Sequence, residues 1–165
     1  GSCAGMMKLH YPKLFEGHPE YFKVLAFSGR VVEFCEFLLG LAPDGFQDKG
    51  PLATVTWHSS CHAQRETGST DAAKAILRGL ANVTLKELSR EYECCGFGGT
   101  FAVKRPEVSA AMVRDKVEDI RATGASVVLT ADCGCLLNIT GAAQKMGVNV
   151  RGLHLAEFLW ERING

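Results

Sequence analysis

Apolar residues recur at helical spacing in the first part of the chain and in short β-branched runs after it. Between about residues 19 and 41, apolar side chains lie three and four positions apart, which predicts helix with a candidate break at Gly29. Further on, four short runs predict strands because they are rich in β-branched residues. They are ATVTW at 53–57, NVTLKEL at 82–88, SVVLT at 126–130 and VNVRGLHL at 148–155.

The clearest helix is predicted between Pro106 and about Ala122. Proline suits a first helical position, and apolar residues then fall on one stripe. Strands that alternate with helices predict an α/β fold, with a mostly parallel sheet flanked by helices. The segment 43–51 is rich in Pro, Gly and Asp and predicts a loop and candidate hinge. We therefore expect an N-terminal helical extension at residues 1–50 and a main domain at residues 51–165.

Composition and charge narrow the class of protein. The chain has 165 residues, of which 47% are hydrophobic, and its 18 basic residues balance 18 acidic ones. This balance gives no reason to expect binding to nucleic acid or to an anionic membrane. No apolar stretch is long enough to predict a membrane span, and no secretory signal pattern opens the chain. The seven cysteines are an odd number, which suits a reducing cytoplasm better than a disulfide scaffold.

Five of the cysteines follow predicted strands. Cys61 comes after the first strand, Cys94 and Cys95 after the second, and Cys133 and Cys135 after the third. In a parallel α/β sheet, sites lie in the loops beyond the carboxyl ends of the strands. The thiols are therefore predicted to converge at one edge of the sheet, where they could bind a metal or carry out redox chemistry.

The adjacent cysteines in ECCGFGG limit the kind of metal site that the thiols can form. Neighbouring residues of a strand point to opposite faces, so Cys94 and Cys95 serve one centre only if the chain turns there, as the glycines allow. A single zinc ion suits vicinal thiolates poorly, whereas a cluster of several irons suits them better. A pair of buried thiols and a vicinal disulfide are the alternatives.

Several neighbouring residues have two interpretations. His58 and His62 flank Cys61 and are candidate ligands or proton carriers, although a histidine at a strand end more often serves as a cap. Asp132 could cap a helix that starts near Gly134 or act at the site. Cys35 lies on an apolar helix face and is predicted to be a core residue.

The spacing C-x32-C-C-G-x36-C-G-C resembles the CCG cysteine-rich domain family, whose members include a subunit of the heterodisulfide reductases. The segments HSSCHAQR, ECCGFGGTFAVK, DCGCLLNITG and LHLAEFLW most resemble the lactate utilization protein A branch, the iron–sulfur subunit of an L-lactate dehydrogenase complex. The resemblance implies that the chain is the C-terminal part of a family protein. It would comprise the tail of a first CCG repeat, with an unused Cys3, and a second repeat.

The resemblance also implies a ligand set. Cys61, Cys94, Cys95 and Cys135 correspond to cysteines that hold a four-iron cluster, cubane or non-cubane, or in some relatives a zinc ion. The family domain ends in C-x2-C, and here Asp132 takes the place of its first cysteine. Cys133 lies one position out of register and is a candidate fifth ligand.

Two functions from different classes follow. In the first, implied by the resemblance, the chain is a cytoplasmic iron–sulfur electron-transfer subunit of an oxidoreductase that converts L-lactate to pyruvate. Its partners are a ferredoxin-like iron–sulfur protein and another subunit, and the 2-hydroxy acid binds elsewhere in the complex. Related subunits serve glycolate, glycerol-3-phosphate and heterodisulfide chemistry. In the second function, the cysteines hold zinc in a structural or docking module, which has no redox activity of its own.

Overall fold

The structure is a computed structural model that describes residues 1–42 and 44–165. Within these residues, a four-stranded parallel sheet forms the centre of the molecule. Its spatial order is β2-β1-β3-β4, and every pair of neighbours is parallel. The strands are β1 (Ala53–Trp57), β2 (Val83–Lys86), β3 (Val127–Thr130) and β4 (Arg151–His154). The predicted α/β fold with a parallel sheet is confirmed.

Helices precede the sheet and cover it. Those in the described part of the chain are α1 (Ser2–Gly5), α2 (Tyr11–Leu14), α3 (Tyr21–Ser28), α4 (Phe34–Leu41), α5 (Thr70–Arg78), α6 (Thr100–Lys104), α7 (Pro106–Ala122), α8 (Cys133–Lys145) and α9 (Leu155–Asn164). Two π-helical segments lie at Met6–His10 and Ala63–Thr67. Within the described residues, no helix is both long enough and apolar enough to cross a membrane.

Local signals account for several helix boundaries. Pro106 opens α7, as the sequence predicts, and Gly29 follows the end of α3, so the predicted 19–41 helix is two helices. The second of them, α4, begins with a capping box because Glu33 accepts from the Cys35 N–H and Glu36 reaches back to the Glu33 N–H. In the predicted loop at 43–51, Pro43 lies outside the described residues.

The core consists of two apolar clusters on opposite faces of the sheet. Val128 and Leu129 are adjacent in β3 and point to opposite faces, and each belongs to a different cluster. The Leu129 cluster packs against α4, α5 and α9. The Val128 cluster packs against α7 and α8 and includes two of the predicted site residues, Cys95 and Cys135. The edge of this second cluster therefore carries the candidate site.

A buried ion pair connects the segment before β1 to α9. The Arg162 guanidinium donates to both carboxylate oxygens of Asp48 at 2.7 Å, and a third bond reaches the Pro51 carbonyl at 2.5 Å. Both charged side chains are almost completely buried, at 4% and 0% exposure. The guanidinium lowers the pKa of Asp48, so the carboxylate stays ionised. This bidentate pair fixes where the chain enters the sheet.

A second buried charge pair holds the loop that follows β2. Asp119 of α7 accepts hydrogen bonds from the backbone N–H groups of Ser89 at 3.1 Å and Arg90 at 2.9 Å. Lys116, which is completely buried, donates to the Arg90 carbonyl at 2.5 Å and lies 3.9 Å from the Asp119 carboxylate. The loop leading to Cys94 is thereby attached to α7 by ionic groups in a low-dielectric environment.

Replacing Asp119 by alanine should destabilise the protein by about 3–5 kcal/mol, because the Lys116 ammonium would stay buried without its counter-charge. Urea unfolding measures the change in the free energy of unfolding. Glu118→Ala is the matched control on the same helix. Glu118 pairs with exposed Arg121, so its loss should cost about 0.5 kcal/mol or less. Equal effects of the two substitutions would contradict this role for Asp119.

Candidate metal centre

The loop after β1 carries His58 and Cys61 to the carboxyl edge of the sheet. The His58 N–H donates to the Leu129 carbonyl at 2.8 Å, which extends the pairing of β1 with β3 by one residue. Cys61 then begins a short helical turn and is half-buried. Both residues are therefore positioned by the strand that precedes them.

Polar contacts join this loop to the segment before Cys94. The Glu91 carboxylate accepts from the Ser59 hydroxyl at 2.8 Å and from the Lys74 ammonium at 2.6 Å. The Gln64 side-chain amide donates to the Glu91 carbonyl at 3.0 Å. The loops after β1 and β2 are therefore held together, which brings Cys61 near Cys94 in space.

The turn at Cys94 and Cys95 needs glycine at position 96. Gly96 has φ of +80°, and a Cβ there would lie only 2.7 Å from the Ser109 carbonyl oxygen of α7. Its N–H donates to the Cys94 sulfur at 3.3 Å. The Asn138 side chain donates to the Cys95 carbonyl at 2.8 Å. The pair is thus fixed between α7 and α8, with both sulfur atoms available to one site.

The start of α8 supplies the next thiol. The Asp132 carboxylate caps this helix by accepting from the N–H groups of Gly134 at 3.1 Å and Cys135 at 3.2 Å. Of the two roles that the sequence allows for Asp132, the structure shows the cap. Gly134 also packs against the Phe97 ring, with no room for a Cβ. The CCG loop and the first turn of α8 are thereby in direct contact.

The four thiols form a connected series in space. Cys61 lies close enough to Cys94, Cys94 to Cys95, and Cys95 to Cys135 for each thiol to shift the pKa of the next. The Cys61 and Cys95 thiols and the Gly96 N–H all lower the pKa of Cys94 by stabilising its thiolate. The same contacts, together with burial, raise the pKa of Cys61 and of Cys95. All seven cysteines are free thiols, and no vicinal disulfide links Cys94 to Cys95.

A histidine joins the buried end of this series. A ring nitrogen of His58 and the sulfur atoms of Cys95 and Cys135 all lie within 4.8 Å of one another. The imidazole is 1% exposed, and neither ring nitrogen has a hydrogen-bond partner within the described residues. Burial, and then the nearby Lys116 charge, lower the pKa of His58 to about 4, so the ring is neutral near pH 7. Each unpaired buried polar atom costs about 1–3 kcal/mol.

Other residues singled out in the sequence lie apart from this group. Cys133 is exposed in the first turn of α8, and Cys3 is exposed in α1. The His62 ring is half-exposed, 4.0 Å from the Glu66 carboxylate. Cys35 is buried in the core, as predicted, where burial and then the Glu33 charge raise its pKa to about 12.

Lys116 is a neighbour of the site that the sequence pattern alone did not single out. Its charge acts on His58, and the Cys95 thiol acts in turn on Lys116. A signal for it existed, since Lys116 falls on the same stripe of α7 as Val113, Val117 and Ile120. A charged residue on the buried stripe of a helix indicates a buried ionic contact.

The chain matches the CCG cysteine-rich domain family over residues 55–140, which contain most of β1, all of β2 and β3, and all the thiols of the series. It is also similar to curated proteins along almost its whole length. Lactate utilization protein A of Bacillus cytotoxicus is 40% identical, over 98% of this chain and 68% of the relative.

Two further relatives show similar identity and coverage. Lactate utilization protein A of Oceanobacillus iheyensis is 37% identical, over 96% of this chain and 65% of its own length. Lactate utilization protein A 2 of Bacillus cereus is 35% identical, over 99% of this chain and 68% of its own length. The chain therefore spans about two thirds of the length of these relatives. From the matched cysteine spacing and these similarities, the chain belongs to the CCG cysteine-rich domain family, in the group of lactate utilization protein A.

Proposed function

We propose that the chain is part of an iron–sulfur electron-transfer subunit of a multi-subunit oxidoreductase, one that oxidises L-lactate to pyruvate. The observation that carries this proposal is the convergence of four thiols from three loops at one edge of the sheet. Such a set suits a cluster of several irons, because cysteine thiolates are its usual ligands and the adjacent Cys94 and Cys95 suit a single zinc ion poorly.

The proposed cluster ligands are Cys61, Cys94, Cys95 and Cys135, with Cys133 as a candidate fifth. The donor set fits the group chemically, since thiolates are the usual ligands of iron–sulfur clusters. A four-iron cluster of either form, when bound, takes up and releases single electrons. The chain contributes ligands, a partly dry environment and fixed charges around it.

Three features of the chain are suited to adjusting such a centre. The Gly96 N–H donates to the Cys94 sulfur at 3.3 Å and withdraws electron density from it. Leu88, Val113 and Ile139 belong to the buried cluster that contains Cys95 and Cys135, so they limit the access of water. Lys116 places a buried positive charge near the thiolates and offsets part of their negative charge.

The substrate and partners are inferred from the relatives. Lactate is proposed because the relatives are named for lactate utilization. In the proposal, the 2-hydroxy acid binds elsewhere in a complex that includes a ferredoxin-like iron–sulfur protein. Glycolate, glycerol-3-phosphate and heterodisulfide oxidoreductases are the alternative assignments. The domain division at residue 50 and the cytoplasmic location likewise stay predictions.

A zinc-binding docking module is the second candidate. The group of His58, Cys95 and Cys135 favours it, since mixed imidazole and thiolate ligands at this spacing suit a single zinc ion. Zinc has no redox activity, so metal content and spectra separate the two functions.

Cys95→Ser should abolish loading of iron and sulfide, because Cys95 is a central member of the thiol series. Cys35→Ser is the matched control. Cys35 is equally buried, at 1% exposure, but lies in the opposite cluster, so this variant should lose stability and keep its iron. The measurement is iron per chain after anaerobic reconstitution, with circular dichroism to verify that the sheet is folded. Full iron occupancy in Cys95→Ser would remove this thiol from the ligand set.

In the metal-free chain, Cys94 should react with iodoacetamide at pH 6 faster than Cys35. Its lowered pKa leaves it as a thiolate at that pH, whereas Cys35 is buried with a pKa of about 12. Peptide mass spectrometry gives the labelling rate of each thiol. Metal loading should protect Cys94 and leave exposed Cys3 reactive. Equal labelling of Cys94 before and after loading would show that it is not a ligand.

A further inference from the structure

Among the described residues, no side-chain or backbone group pairs with the buried imidazole of His58. Its backbone is fixed by the bond to the Leu129 carbonyl, but this bond does not involve the ring. Both ring nitrogens are buried and without a hydrogen-bond partner in the part of the chain that the structure describes. Buried polar atoms are normally paired, so two orphaned nitrogens on one ring indicate an absent partner.

The groups nearest to the His58 ring are ones that bind metals. The nearest candidate ligands to the ring are two thiols, Cys95 and Cys135, within 4.8 Å. Metal–nitrogen and metal–sulfur bonds measure about 2.0–2.3 Å, so ligand atoms of one tetrahedral metal lie about 3.3–3.8 Å apart. The ring nitrogen and the two sulfur atoms are therefore close enough to belong to one metal centre after a small adjustment.

Burial distinguishes His58 from the other histidine beside Cys61. The His58 ring is completely enclosed, and neither of its nitrogens has a hydrogen-bond partner in the described residues. The half-exposed His62 contrasts with it, because that ring has a carboxylate partner, Glu66, and access to solvent.

We propose that His58 is a metal ligand through one ring nitrogen, in the same metal centre as Cys95 and Cys135. This inference rests on the metal centre of the proposed function. It adds a nitrogen ligand to a set that the resemblance describes as thiolates alone. Cys61 and Cys94 supply further thiolates. A neutral imidazole carries no charge, so a centre with this ligand is less negative than an all-thiolate centre with the same number of ligands, which favours its reduced form.

The first test uses protein that carries ¹⁵N-labelled histidine, reconstituted anaerobically with iron and sulfide. Electron spin echo envelope modulation spectroscopy of the paramagnetic cluster should show hyperfine coupling to histidine nitrogen. His58→Ala should lose this coupling, whereas the control variant His62→Ala should keep it. A wild-type cluster without histidine coupling would overturn the proposal, as would coupling that survives in folded His58→Ala.

The wild-type measurement stands even if His58→Ala fails to fold. Coupling that persists in His62→Ala would then exclude the other histidine beside Cys61 and support His58. Coupling that disappears in His62→Ala and persists in a folded His58→Ala would overturn the proposal, because the ligand would be the other histidine.

A second probe separates this inference from the iron–sulfur proposal. If no cluster forms, Co²⁺ can be bound at the site instead. The visible absorption bands of bound Co²⁺ differ between pure thiolate sites and mixed imidazole–thiolate sites. The wild-type spectrum should be of the mixed type and should shift in His58→Ala but not in His62→Ala. Identical spectra in wild type and His58→Ala, or no binding of any metal, would overturn the role of His58.

Discussion

The parallel pairing of β1 with β2 and β3 is the constraint on which the cysteine site depends. Parallel strands end at the same edge of the sheet, so the loops that follow them start side by side. Thiols spread from Cys61 to Cys135 meet for this reason. An antiparallel neighbour would place one of these loops at the opposite edge. The strand order therefore brings the thiols together, and individual contacts then fix their positions.

The loop with the adjacent thiols is long, and buried polar contacts compensate for its lack of regular structure. Asp119 and Lys116 attach its start to α7, Gly96 allows it to approach the same helix, and Asn138 holds it to α8. These contacts preorganise the thiols, so less order has to be created when a metal binds. They also place the Lys116 charge beside the centre, so the same contacts affect both its geometry and its electrostatics.

Much of this arrangement can be predicted from sequence because its signals are local. The run ATVTW predicts β1 at its observed bounds, Pro106 marks the start of α7, and Asp132 is a recognisable cap. The strand predicted at 148–155 is observed only at Arg151–His154, and Leu155 begins α9 instead, which His154 caps by accepting from the Ala156 N–H. The burial of His58 is set by packing between distant segments, so it could not be derived from neighbouring residues, whereas the position of Lys116 on the apolar stripe of α7 was a local signal of its burial. The closeness of Cys61 to Cys94 required knowing the strand order.

The central claim is that the converging thiols hold a redox-active iron–sulfur cluster. It is tested most directly by a redox titration of the anaerobically loaded chain, followed by low-temperature electron paramagnetic resonance and metal analysis. The account predicts about four irons per chain and a signal that appears and disappears reversibly with one electron. Stoichiometric zinc that resists replacement, with no signal at any potential, would contradict it.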